Sequence, residues 1–197
     1  LFQFENYDHY VRVQTACNKA KIEKTWVGPD ECKVIAATVQ DRTPLPAFGI
    51  CHGVRNGYEV RVLRELLAAE VIGTDISDTA EQFPFVVRWD FHEPNVKWIG
   101  RADFIYSNSL DHGFDPKSAV AVWVDSLAPG GILILHWSTG HDYPDFANDG
   151  ADCFAATKHE YADLLATHFA IVENIPLEPR GEGHEAEQCL IVGSVKR

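Results

Sequence analysis

Four short apolar runs in this sequence each end in residues able to bind or move charge. Gly49-Ile50-Cys51-His52 leads into Gly53-Val54-Arg55-Asn56-Gly57, where glycines permit a tight turn and close backbone approach to a ligand. Val71-Ile72-Gly73-Thr74 ends at Asp75, eighteen residues beyond Gly57, and is followed by Ile76. A carboxylate there can accept from both hydroxyls of a ribose. The next run ends Trp89-Asp90-Phe91, with Asp90 placed to accept from an adenine amino group. The fourth ends Ile105-Tyr106-Ser107-Asn108-Ser109-Leu110-Asp111-His112. Each has an ordinary alternative: Gly53 and Gly57 as turn and packing glycines, and Asp75, Ser77 or Asp78 as helix N-caps. Polar ends on successive runs are much harder to assign to chance than any one alone.

Histidines gather near the same ends: His52, His112, His136 and His141. An imidazole titrates near neutrality and can take a proton from a hydroxyl. His112 is the candidate general base and His141 the second; the alternative for His112 is packing over the site or orienting a substrate. His136, inside an apolar run, reads as a buried imidazole. His141-Asp142 with Asp145, Asp149 and Asp152 can chelate a divalent metal or form a solvated acidic loop. The site is read without a metal.

The elements that must position these residues follow from periodicity. Tyr10, Val13 and Cys17 recur at helical spacing, as do Cys32, Ile35, Ala36 and Val39, with a break at Gly28-Pro29-Asp30 and Asp30 as its N-cap. From residue 45 the pattern alternates. Strands are expected at 45–51, 71–75, 85–90, 102–107, 131–137, 170–175 and 188–195. A helix fits 58–69. A second opens at Asp115-Pro116 and carries Val120, Trp123, Val124 and Leu127 on one face; Pro129-Gly130-Gly131 stops it. A third opens with the capping box Thr157-x-x-Glu160 and buries Tyr161, Leu164, Leu165 and His168. Strands separated by crossover helices imply a Rossmann-like α/β domain: a seven-stranded, mostly parallel sheet covered on both faces. The last strand follows a loop without a helix, so it is expected to run antiparallel. Residues 1–44 read as an N-terminal helical cap on the substrate side, and 45–197 as the ligand-binding domain, in one compact unit.

The 197 residues, 46% hydrophobic and 23% charged, exclude disorder and repeat-fibre classes. No apolar run approaches a membrane span, and Leu1-Phe2-Gln3-Phe4-Glu5 lacks the basic start of a secretory signal. Leu1 is not an initiator, so the chain reads as trimmed, and a complete absence of Met is unusual at this length. A net charge of −12 disfavours nucleic acid and anionic membrane as partners. Five scattered cysteines without C-x-x-C read as reduced thiols, hence a cytoplasmic protein. A homodimer is left open.

From Phe48 to His136 the sequence resembles the class I S-adenosyl-L-methionine (SAM)-dependent methyltransferases. Gly53-Val54-Arg55-Asn56-Gly57 resembles motif I in the variant whose middle glycine is replaced. Ser107-Asn108-Ser109-Leu110-Asp111-His112 is similar to the S-N-x-L-E-H signature of the type-11 branch, and Leu127-Ala128-Pro129-Gly130-Gly131 to its L-x-P-G-G turn. The resemblance implies SAM as cofactor, held by Gly53, Arg55, Gly57, Asp75, Ile76, Asp90, Phe91 and Ser107. It implies methyl transfer to a small-molecule or sugar acceptor, at oxygen or nitrogen. The sequence departs from the pattern at Cys51, where the family carries an acid that helps anchor the methionine amino group. That departure keeps a non-catalytic SAM-binding scaffold as the alternative. A nicotinamide-dependent oxidoreductase is the weaker one, because G-x-G-x-x-G is absent.

Overall fold

The computed structural model describes residues 3–139, 152–179 and 187–194. Two N-terminal helices, α1 (Tyr7–Ala20) and α2 (Pro29–Arg42), precede an alternating series. The series runs β1 (Phe48–His52), α3 (Tyr58–Leu67), β2 (Glu70–Asp75), β3 (Val86–Arg88), β4 (Ala102–Ser107) and α4 (Pro116–Ser126). It continues through β5 (Leu127–Ser138), α5 (Lys158–Ala166), β6 (Ile171–Leu177) and β7 (Gln188–Ser194). The strands form one seven-stranded sheet in the order β3-β2-β1-β4-β5-β7-β6. β1 to β5 are parallel, and β7 lies antiparallel between β5 and β6. The expected α/β sheet with its reversed last strand is therefore the fold observed.

Strand period explains the two layers. Successive side chains alternate faces, so Cys51, Phe104, Tyr106, Ile134 and Val192 pack with Cys32, Ile35, Val39, Val60 and Leu63 of α2 and α3. Their neighbours Ile50, Ile105, Leu133, Leu135 and Ile191 pack with Val120 and Trp123 of α4 and Tyr161 and Leu165 of α5 on the other face.

Several helix ends differ from expectation. The N-cap of α2 is Gly28, not Asp30, because the Glu31 carboxylate reaches back to accept the Gly28 N–H at 3.0 Å. Asp115 and Thr157 do cap α4 and α5 as their sequences indicate. Leu127 opens β5 rather than closing α4, and His168 lies beyond α5, exposed. Phe169 takes the inward place instead, packing against Gly193. Among the described residues no helix is long and apolar enough to cross a membrane.

Candidate functional site

In an open α/β sheet the cleft forms beyond the C-terminal strand ends where strand order reverses, here between β1 and β4. A cleft opens there, lined by Gly53, Arg55, Asp75, Ile76, Asp90, Phe91, Ser109 and His112. Seven of the residues singled out above thus meet at one place.

Gly53 turns the chain at the end of β1 with φ of +72°, and a Cβ there would lie 2.5 Å from the Cβ of Ser109. The Ser109 hydroxyl donates to the Gly53 carbonyl at 3.0 Å, so the loops after β1 and β4 are joined at this point. Asp75 is 6% exposed and accepts backbone N–H donors from Arg55 and Ser77, each at 2.9 Å. A carboxylate offers about four lone-pair sites, so two remain for ligand hydroxyls. Burial pushes the Asp75 pKa up, against the pull of those two donors. The helix cap nearby is Ser77, which starts the short turn Asp78–Gln82.

Asp90 is more heavily engaged. It accepts from the Tyr7 hydroxyl, from the His92 N–H at 3.0 Å, and meets the His92 Nδ1 at 2.8 Å. Burial alone would raise its pKa, but these bonds hold the carboxyl below the usual range. An adenine amino group would share an oxygen with Tyr7 or His92.

Two expected residues stand behind the cleft rather than on it. The missing Cβ of Gly57 faces Val86 at 2.6 Å, so this glycine serves the β1–α3 turn and its packing on β3. Ser107 is 1% exposed; its hydroxyl donates to the His52 carbonyl at 3.2 Å and accepts the Ser109 N–H at 3.1 Å. Ser107 thereby shapes the loop that carries Ser109.

The histidines separate by environment. His112 lies on the cleft wall, with Nδ1 3.3 Å from an Asp152 oxygen and Nε2 3.8 Å from one of Asp111. One ligand atom from each of these three residues falls within 4.8 Å of the others. His141, with Asp142, Asp145 and Asp149, lies outside the described residues. His136 is buried between the Tyr106 hydroxyl (3.0 Å) and Gln188 (3.1 Å), as its apolar setting indicates. His52 stacks on Trp123 at 4.8 Å, and burial lowers its pKa to about 3.

The opposite wall comes from the segment read as a substrate-side cap, though its individual residues were not singled out for the site. Tyr10, Gln14, Cys17, Asn18 and Lys21 of α1 and the turn after it line the cleft. Gln14 interrupts the apolar stripe of Tyr10 and Cys17, and a polar residue on an inward stripe is the signal that marks it. Glu59 was likewise missed. It follows the helix-opening Tyr58 and is buried on the same inward face as Leu63, one turn on.

No family model matches the sequence, and no curated protein does. Solved structures do match. The 1,6-didemethyltoxoflavin-N1-methyltransferase of Burkholderia thailandensis, bound to 1,6-didemethyltoxoflavin and S-adenosylhomocysteine, aligns over 100% of this chain and 92% of its own, with TM-score 0.74 and 17% identity. An N-methyltransferase of Bradyrhizobium japonicum in complex with S-adenosylhomocysteine aligns over 93% and 99%, at 0.66 and 14%. A sugar N-methyltransferase from Streptoalloteichus aligns over 99% and 94%, at 0.64 and 14%. The chain therefore has the fold of the class I SAM-dependent methyltransferases.

Proposed function

We propose that this chain is a SAM-dependent methyltransferase acting on a small-molecule or sugar acceptor, at oxygen or nitrogen. The observation that carries the reading is the cleft after β1 and β2. Asp75 presents a buried carboxylate with lone pairs to spare, beside the tight turn at Gly53 that packs on Ser109. This is a cradle for a ribose and the chain attached to it. Phe91 and Ile76 add apolar surface on the same lining, fit for an adenine ring.

SAM, when bound, supplies a methyl group on a sulfonium for in-line displacement. The protein's part is alignment and exclusion of water. Asp75 accepts the ribose hydroxyls; Gly53 and Ser109 set how near the loops approach. His112, its Nδ1 turned toward Asp152, takes a proton at Nε2 where the acceptor is a hydroxyl or a protonated amine. Segment 1–44 is proposed as the substrate-side cover, since α1 supplies the facing wall. Five free cysteines suit a reducing, cytoplasmic setting.

The test is native mass spectrometry of the purified chain with SAM, followed by incubation with labelled SAM and a panel of amine and hydroxyl acceptors. Bound SAM and S-adenosylhomocysteine release above background are expected. Binding without release on any acceptor would favour the scaffold reading; no binding would remove both.

A further inference from the structure

Beside the main cleft lies a recess sharing Gly53, Arg55, Ser109 and His112 with it and walled by Trp26 and Glu59. Two ionic groups there lack a matching side chain. Glu59 is 8% exposed, and among the described residues no Lys, Arg or His pairs with its carboxylate. Its neighbours include the thiols of Cys51 and Cys32, both held neutral by burial with the Glu59 charge adding to the effect. Arg55 reaches the recess from the β1–α3 loop. Its guanidinium is fixed by donation from Nη1 to the Lys24 carbonyl at 3.2 Å, while Nε is buried with no partner. Arg55 feels the charge of Asp75 most, then Glu59 and Asp111, and among the described residues it forms a salt bridge with none of them.

Buried charge is costly unless an opposite charge and hydrogen bonds answer it. A carboxyl group and a guanidinium share this recess without pairing. A ligand group carrying both charges on one carbon would satisfy them together. We propose that the recess binds the α-amino-acid end of the cofactor, with Glu59 receiving its ammonium and Arg55 its carboxylate. This rests on the SAM reading and adds which residues hold the charged tail. It also accounts for Cys51. A neutral thiol stands where the resembled family has an acid, and Glu59 brings a carboxylate to the same corner from α3. Burial holds the Glu59 pKa up at about 7, as expected of a carboxylate waiting for a cation.

The experiment is titration calorimetry of the full chain with three probes. They are S-adenosylhomocysteine, its analogue with hydrogen in place of the amino group, and 5′-methylthioadenosine, which lacks the amino-acid end. Glu59→Gln should weaken S-adenosylhomocysteine by about tenfold or more, the scale of a lost charge-assisted contact. The other two probes should stay within about twofold of the parent protein. Arg55→Gln should weaken both carboxylate-bearing probes and spare 5′-methylthioadenosine. Unchanged S-adenosylhomocysteine affinity in Glu59→Gln overturns the assignment. So does an equal loss for all three probes, which marks Glu59 as structural. If the parent protein binds 5′-methylthioadenosine but gains nothing from the amino-acid end, the recess assignment fails and the nucleoside site stands. If the parent binds none of the three, the SAM reading falls with it.

Discussion

The carboxylate of Asp75 accepts the backbone N–H of Arg55 at 2.9 Å, tying the loop after β1 to the end of β2. Arg55 sits at φ of +48°, so this bond also holds a non-glycine residue in a left-handed conformation. One side chain thus fixes the shape of the cradle and offers its remaining lone pairs to a ligand.

Asp75→Ala should accordingly do two things. Two ribose contacts to a charged acceptor, each worth roughly 1.5–3 kcal/mol, are lost. SAM affinity should fall about 10²–10⁴-fold by calorimetry. The Arg55 and Ser77 amides also lose their acceptor, so the thermal midpoint should drop. Asp78→Ala breaks an exposed pair with Lys19 and a long 3.5 Å bond from the Ser77 hydroxyl, and should change both little.

At Gly53 the strain lies within the protein. Gly53→Ala places a Cβ in a left-handed conformation and against Ser109, a cost on the order of 1–3 kcal/mol. Thermal melting should show that loss. Gly53→Ala combined with Ser109→Gly should recover part of it, because the steric contact goes while the φ strain remains. No recovery would place the whole cost on the backbone.

His112→Gln tests the general base. The expected result is a fall in kcat of about 10²–10⁴-fold, with S-adenosylhomocysteine affinity nearly intact. A fall below about fivefold would leave His112 a positioning role.

Glu59 gives a pH signature in the ligand-free protein. Its folded pKa is raised from 4.5 to about 7, with burial as the main cause. Arg55 and Arg61 oppose the shift and Asp75 adds to it. Between these values the folded state holds the proton that the unfolded state releases. The stabilisation is therefore complete below pH 4.5 and lost as pH rises through about 7. Its size is at most about 3 kcal/mol. His52 works the other way as pH rises from about 3 towards 6.5. The difference between parent and Glu59→Gln urea unfolding isolates Glu59. It should slope between pH 5 and 7, and a flat difference would remove Glu59 as a titrating group.

Local order was legible because it depends on neighbours in sequence. Short apolar runs ending in Gly, Asp or Ser marked the strands, and the stripe of Val120 and Trp123 marked α4. Asp75 and Asp90 at strand ends marked the edge where a ligand binds, since parallel strands bring their C-terminal ends together. Tertiary structure alone decided which groups meet there. Tyr7 reaches Asp90 across 83 residues and closes α1 against the cleft. Ser107 and Gly57 turned out to shape the loops from behind. Glu59 reads in sequence as one more charge in the first turn of a helix, where acids are common. Only the packing of α2 and α3 over β1 buries it without a counter-ion, and no local pattern encodes that placement.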